Sequence, residues 1–75
     1  MLVKITFVLI VDKQVQKAET IGGDLQAITR RIRRIQYEGY DSAVAVFGDG
    51  AKWDLSFPMT TSEIEKASIK LHSNL

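Results

Sequence analysis

The sequence predicts an α+β domain of order ββαββα, a four-stranded, mostly antiparallel sheet with two helices packed on one face. Three observations predict it. Residues 24–38 carry Leu25, Ile28, Ile32 and Ile35 at i, i+3, i+7 and i+10, the stripe of an amphipathic helix. Two runs rich in β-branched residues precede it, and an Asp-Gly turn between two more runs follows it. A last segment, opened by Thr60-Thr61-Ser62-Glu63 with capping-box spacing at Thr60 and Glu63 and again at Ser62 and Glu65, predicts a second helix.

Met1 to Val11 is nearly all apolar apart from Lys4 and Thr6, and Val3, Ile5, Phe7, Val8, Ile10 and Val11 predict a strand buried on one face and largely on the other. The run Phe7–Val11 is short for a signal peptide, and Asp12-Lys13 stands where small cleavage-site residues belong. The stretch is also too short for a membrane span. A cytoplasmic protein with no membrane partner is the expectation. Asp12-Lys13 begins a turn without the glycine that a tight primed turn favours, and Gln14 to Thr20 returns as a solvated edge strand. Gly22-Gly23 break it. Asp24 is placed as N-cap or first-turn acid of the helix, and Gly39 to close it in a left-handed conformation.

Gly48-Asp49-Gly50-Ala51 predicts a two-residue type I′ turn centred on Asp49-Gly50. That register pairs Val46 with Trp53, Val44 with Leu55 and Ser42 with Phe57 on one face. It sends Ala43, Ala45 and Phe47 to the other face with Lys52, Asp54 and Ser56. Trp53, Leu55 and Phe57 are then expected in the core with Ile28, Ile32 and Ile35. An outer sheet face of Val8, Ile10, Ala43, Ala45 and Phe47 suggests a partner or a dimer interface there. Pro58 ends the strand. Ile64, Ala67, Leu71 and Leu75 form the stripe of the second helix, and His72 to Leu75 are expected to fray.

With 75 residues, the chain 1–75 reads as a single compact domain. Below about 80 residues an apolar core rarely leaves more than ~3–5 kcal/mol of net stability. The absence of cysteine excludes disulfides and thiolate chemistry, and one histidine makes a metal-clipped fold improbable. Packing, the sheet ladder or a second copy of the chain must hold it, so a homodimer is a live expectation. The formal charge is +1, and removing the four helix arginines leaves the remainder at −3. Such a lopsided but nearly neutral molecule suits oriented docking on an anionic surface better than general nucleic-acid binding.

No residues suggest catalysis. His72 lies near the terminus with nothing to orient it, and Asp41, Asp49 and Asp54 are accounted for by turns and a strand. Neither glycine pair has phosphate-loop spacing. No enzyme activity, metal or cofactor is therefore expected. The functional signal is Arg30, Arg31, Arg33 and Arg34, all placed by helical geometry away from the apolar stripe, with Tyr37 on the same arc. A solvated helix face is the plain alternative, with Glu38 pairing to Arg34 and Arg31 facing an acid elsewhere. Four arginines in five positions, however, repel one another unless something anionic binds. Their planar forks suit carboxylate and phosphate.

The reading is a small non-enzymatic regulator or inhibitor that docks onto an acidic surface of a larger protein. Its candidate contact residues are Arg30, Arg31, Arg33, Arg34 and Tyr37, with Phe47 on the outer sheet face. Nucleic acid is the alternative, with the arginines on phosphates and Tyr37 stacked on a base. No recognition motif of the usual DNA- or RNA-binding families accompanies it.

Overall fold

The computed structural model describes residues 4–75; Val3, expected in the first strand, lies outside the described residues. The elements are β1 (Lys4–Val11), β2 (Gln14–Gly22), α1 (Leu25–Tyr37), β3 (Ser42–Phe47), β4 (Lys52–Ser56) and α2 (Thr61–Ser73). The sheet runs β2-β1-β3-β4 with every neighbouring pair antiparallel. The hydrophobic first strand is central, as its composition requires. Ile5, Phe7 and Leu9 are fully buried towards the helices, while Thr6, Val8 and Ile10 are half-buried on the outer face.

The β1–β2 turn works without glycine. Asp12 and Lys13 both adopt positive φ, 51° and 64°, and Val11 pairs with Gln14. The strain is offset by Asp41, whose Oδ2 accepts from the Asp12 N–H at 2.8 Å. Asp41 also donates its own N–H to the Ile10 carbonyl at 3.0 Å, and its carbonyl accepts from the Phe57 N–H at 3.0 Å. One residue thus ties together the ends of β1 and β4 and the first turn.

Helix α1 has the ends its sequence implies. The Asp24 side chain accepts from the Ala27 N–H. Gly39, at φ 93°, closes a Schellman motif in which Gly39 N–H donates to the Gln36 carbonyl and Tyr40 N–H to that of Ile35. Ile28, Ile32 and Ile35 are fully buried, whereas Leu25 is 37% exposed and falls outside the core. Helix α2 starts on a complete capping box of Thr60 and Glu63 and buries Ile64, Ser68 and Leu71. It continues through His72 to Ser73 and is capped at Asn74. The Gln36 Oε1 of α1 accepts from the Met59 N–H at 2.6 Å and fixes the entry to α2.

The second hairpin departs from expectation by one residue. Ala45 faces Trp53, Ala43 faces Leu55, and Val44 and Val46 face Asp54 and Lys52. The cause is the turn. Phe47 N–H donates to the Ala51 carbonyl, and the Phe47 carbonyl accepts from Gly50 N–H. Gly48-Asp49-Gly50 is therefore a three-residue loop closed by a glycine bulge, with Gly50 at φ 90°. The extra loop residue rotates β3 relative to the two-residue register. Ala43, Ala45 and Phe47 consequently belong to the core, Phe47 with only 7% exposure, and not to the outer face. Trp53, Leu55 and Phe57 do meet the helix isoleucines in one cluster, joined by Met59, Ala67 and Leu75. The outer face instead carries Val8, Ile10, Val44 and Val46 among Thr6, Lys52, Asp54 and Ser56.

Candidate binding face on the first helix

The buried stripe Ile28, Ile32 and Ile35 fixes where every other α1 side chain points. At roughly 100° per residue, Ala27, Arg31 and Arg34 lie on the flank towards β2, with Arg30 just beyond them. Arg30 and Tyr37 lie almost opposite the stripe, and Arg33 lies on the far side of them. The arginines are thus divided between two surfaces. Arg30, Arg31 and Arg34, with Ile21 of β2 and Ala27, line a groove of about 370 Å³ between the helix and the edge strand. Arg33 and Tyr37 stand outside it, and Tyr37 is 91% exposed.

Arg31 is anchored. Its Nη1 donates to Glu19 Oε2, and the other Glu19 oxygen accepts from Lys17 Nζ at 3.0 Å. Lys17, Glu19 and Ile21 alternate onto the helix-facing side of β2, opposite Leu9, Phe7 and Ile5. The hydrogen bond from Lys17, reinforced by the Arg31 charge, holds the Glu19 carboxyl below the usual carboxylate range against the opposing cost of desolvation. The same contact raises the Lys17 ammonium above its ordinary value.

The other three arginines have no such satisfaction. Among the described residues, Arg30, Arg33 and Arg34 are exposed and make no ion pair. Arg30 reaches only the Gln26 side-chain carbonyl, at 3.4 Å. The expected Glu38–Arg34 pair is not formed. Glu38 is the C-cap residue, beyond the last helical turn, and acid after base at i+4 is the weaker orientation. The expected acid elsewhere for Arg31 is Glu19.

Phe47 is not part of this face, because it is buried on the opposite side of the sheet from where a two-residue turn would put it. Sequence reasoning missed Glu19, Ile21 and Ala27. The signal for Ala27 was its place in the row Ala27–Arg31–Arg34 at i, i+4 and i+7. For Glu19 and Ile21 it was strand alternation carried back from Phe7. Among the described residues no group of three or more His, Asp or Glu side chains is placed to hold a metal ion, and no helix is long and apolar enough to cross a membrane. Comparison with protein-family models, curated proteins and solved structures finds no match.

Proposed function

We propose that this chain is a non-enzymatic binding module, of the regulator or inhibitor kind, that docks onto an acidic surface of a larger protein through the arginine face of α1. One observation carries the reading. Three guanidinium groups, Arg30, Arg33 and Arg34, sit exposed within five residues without an ion-pair partner among the described residues, while the fourth is paired with Glu19. A partner that supplies negative charge turns their mutual repulsion, already weakened by solvent and salt, into attraction. Arginine favours carboxylates through paired N–H donors, and its weak hydration lowers the cost of covering it. The apolar residues Val8, Ile10, Val44 and Val46 on the outer sheet face offer a second contact area in place of Phe47. A cytoplasmic location is part of this proposal.

A nucleic-acid reading keeps one specific support, the exposed Tyr37 ring between Arg30 and Arg33 on the outward arc. The two readings separate in a fluorescence-anisotropy titration of labelled polyglutamate and of single- and double-stranded DNA and RNA, at low and physiological salt. An Arg30/Arg33/Arg34→Gln variant, checked for folding, runs beside the wild type. Polyglutamate binding that the variant loses supports protein docking. Oligonucleotide binding with a steep salt slope, lost in the variant and unmatched by polyglutamate, overturns it.

A further inference from the structure

We propose that the groove between α1 and β2 receives an extended acidic segment of the partner protein, which adds to the free edge of β2 as a fifth strand. This deepens the docking reading and rests on it. β2 is an edge strand of nine residues. Its outward main-chain groups follow from ladder alternation. The Ile10 carbonyl is bonded on the β3 side, and Phe47 and Asp41 bond towards β4. With the observed registers, even-numbered β1 residues bond β3 and odd-numbered ones bond β2. Lys17, Glu19 and Ile21 are then bonded inward, and Ala18 and Thr20 present their N–H and C=O groups off the free edge.

The two ends of this edge differ. Near Gln16 a register shift opposite Leu9 and Ile10 distorts the strand, a common device against pairing. From Ala18 to Gly22 no bulge or proline intervenes. That regular half runs beside Ile21, Ala27, Arg30, Arg31 and Arg34, the groove lining. A strand added there lies about 4.8 Å beyond β2 and projects every second side chain towards α1. Carboxylates at those positions meet the unpaired Arg30 and Arg34, and their methylenes lie on Ile21 and Ala27. The Arg31–Glu19 pair links the helix to the edge strand beside the groove. Main-chain bonds supply the affinity and the arginines the choice of sequence, the usual division of labour in strand addition.

A second copy of the chain fits this edge poorly. Pairing β2 with β2 about a two-fold axis brings two α1 helices together with Arg30 and Arg34 facing their own kind. Nucleic acid uses the arginines but leaves the Ala18 and Thr20 main-chain groups without partners.

The test is a labelled peptide alternating glutamate and threonine, compared with two N-methylated twins of the same charge. One twin is methylated at the glutamate amides, the other at the threonine amides. Strand addition predicts that one twin loses about tenfold or more in affinity while the other binds like the parent, because only alternate amides point at β2. Amide hydrogen exchange at Ala18 and Thr20 should slow when the parent peptide is present. Equal binding of both twins with no protection at Ala18 and Thr20 overturns the strand and leaves docking through arginines standing. Failure of the parent peptide to bind while polyglutamate binds does the same. Oligonucleotide binding without any peptide or polyglutamate binding overturns both. Protection of Ala18 and Thr20 that grows with protein concentration alone identifies a second copy as the occupant and overturns the acidic segment. An Ala18→Pro variant, which removes an edge N–H without breaking a ladder bond, should lose the peptide while keeping its circular dichroism spectrum.

Discussion

The Arg31 guanidinium of α1 and the Glu19 carboxylate of β2 form, among the described residues, the ion pair that joins a helix to the sheet. Both side chains are partly shielded, and Glu19 is also bonded to Lys17. Replacing Glu19 by Gln keeps the shape and removes the charge. It should cost about 1 kcal/mol, the upper end for exposed pairs. Urea denaturation measures that loss. The variant should also bind polyglutamate more tightly, since a fourth guanidinium becomes free.

Acid should act on the same contact. The native Glu19 carboxyl is held below its ordinary range, chiefly by the hydrogen bond from Lys17. Glu63 is lowered too, first by the backbone N–H of Thr60 and then by its hydroxyl. A carboxyl depressed in the folded state contributes stability that is complete above its unfolded pKa and disappears as pH falls through the folded one. Stability should therefore be level near neutrality and decline below the normal carboxylate range. Repeating the urea midpoint at descending pH checks this, and the Glu19→Gln variant should show a shallower decline.

The outline of the molecule was legible because local and tertiary signals agreed. The stripe of Ile28, Ile32 and Ile35 has one structural solution, and of the caps the sequence allowed the fold takes Asp24 as N-cap and the Thr60–Glu63 box over Ser62–Glu65. The second hairpin was misread because Asp49-Gly50 fits both a two-residue primed turn and a three-residue loop with a bulged glycine. Phe47, left facing Lys52 on a polar surface, was the sign of the wrong choice. Ala43 and Ala45 gave no opposing signal, since small residues are at home on either face. The arginines were legible as a cluster, but their division into a groove and an outward arc depends on which strand lies beside α1. Strand order is a tertiary fact that periodicity does not carry.

Phe47 accordingly becomes a stability residue. Phe47→Ala should cost about 3–5 kcal/mol, as for other large buried aromatics. That matches the whole stability expected of so small a core, so the variant should be largely unfolded. Val46→Thr, one residue away on the outer face, should change stability by no more than about 0.5 kcal/mol. Equal effects of the two changes on the far-ultraviolet circular dichroism melt would contradict the register.

The two hairpin turns should respond in opposite directions to substitution. Gly50 has φ 90°, and a Cβ added there meets nothing within 4 Å, so Gly50→Ala is penalised by backbone conformation alone. A left-handed residue with a side chain costs about 1–2 kcal/mol. Lys13 already bears that cost at φ 64°. Lys13→Gly removes it and returns about half through the greater freedom of glycine in the unfolded chain, for a net gain of roughly 0.5 kcal/mol. At ~4–8 °C per kcal/mol for a domain of this size, Gly50→Ala should lower Tm clearly and Lys13→Gly should raise it by a few degrees. The main-chain bond from Asp12 N–H to the Asp41 carboxylate is untouched by the Lys13 change. A Lys13→Gly variant that melts lower than wild type would mean that the Lys13 side chain stabilises the turn by more than its backbone costs.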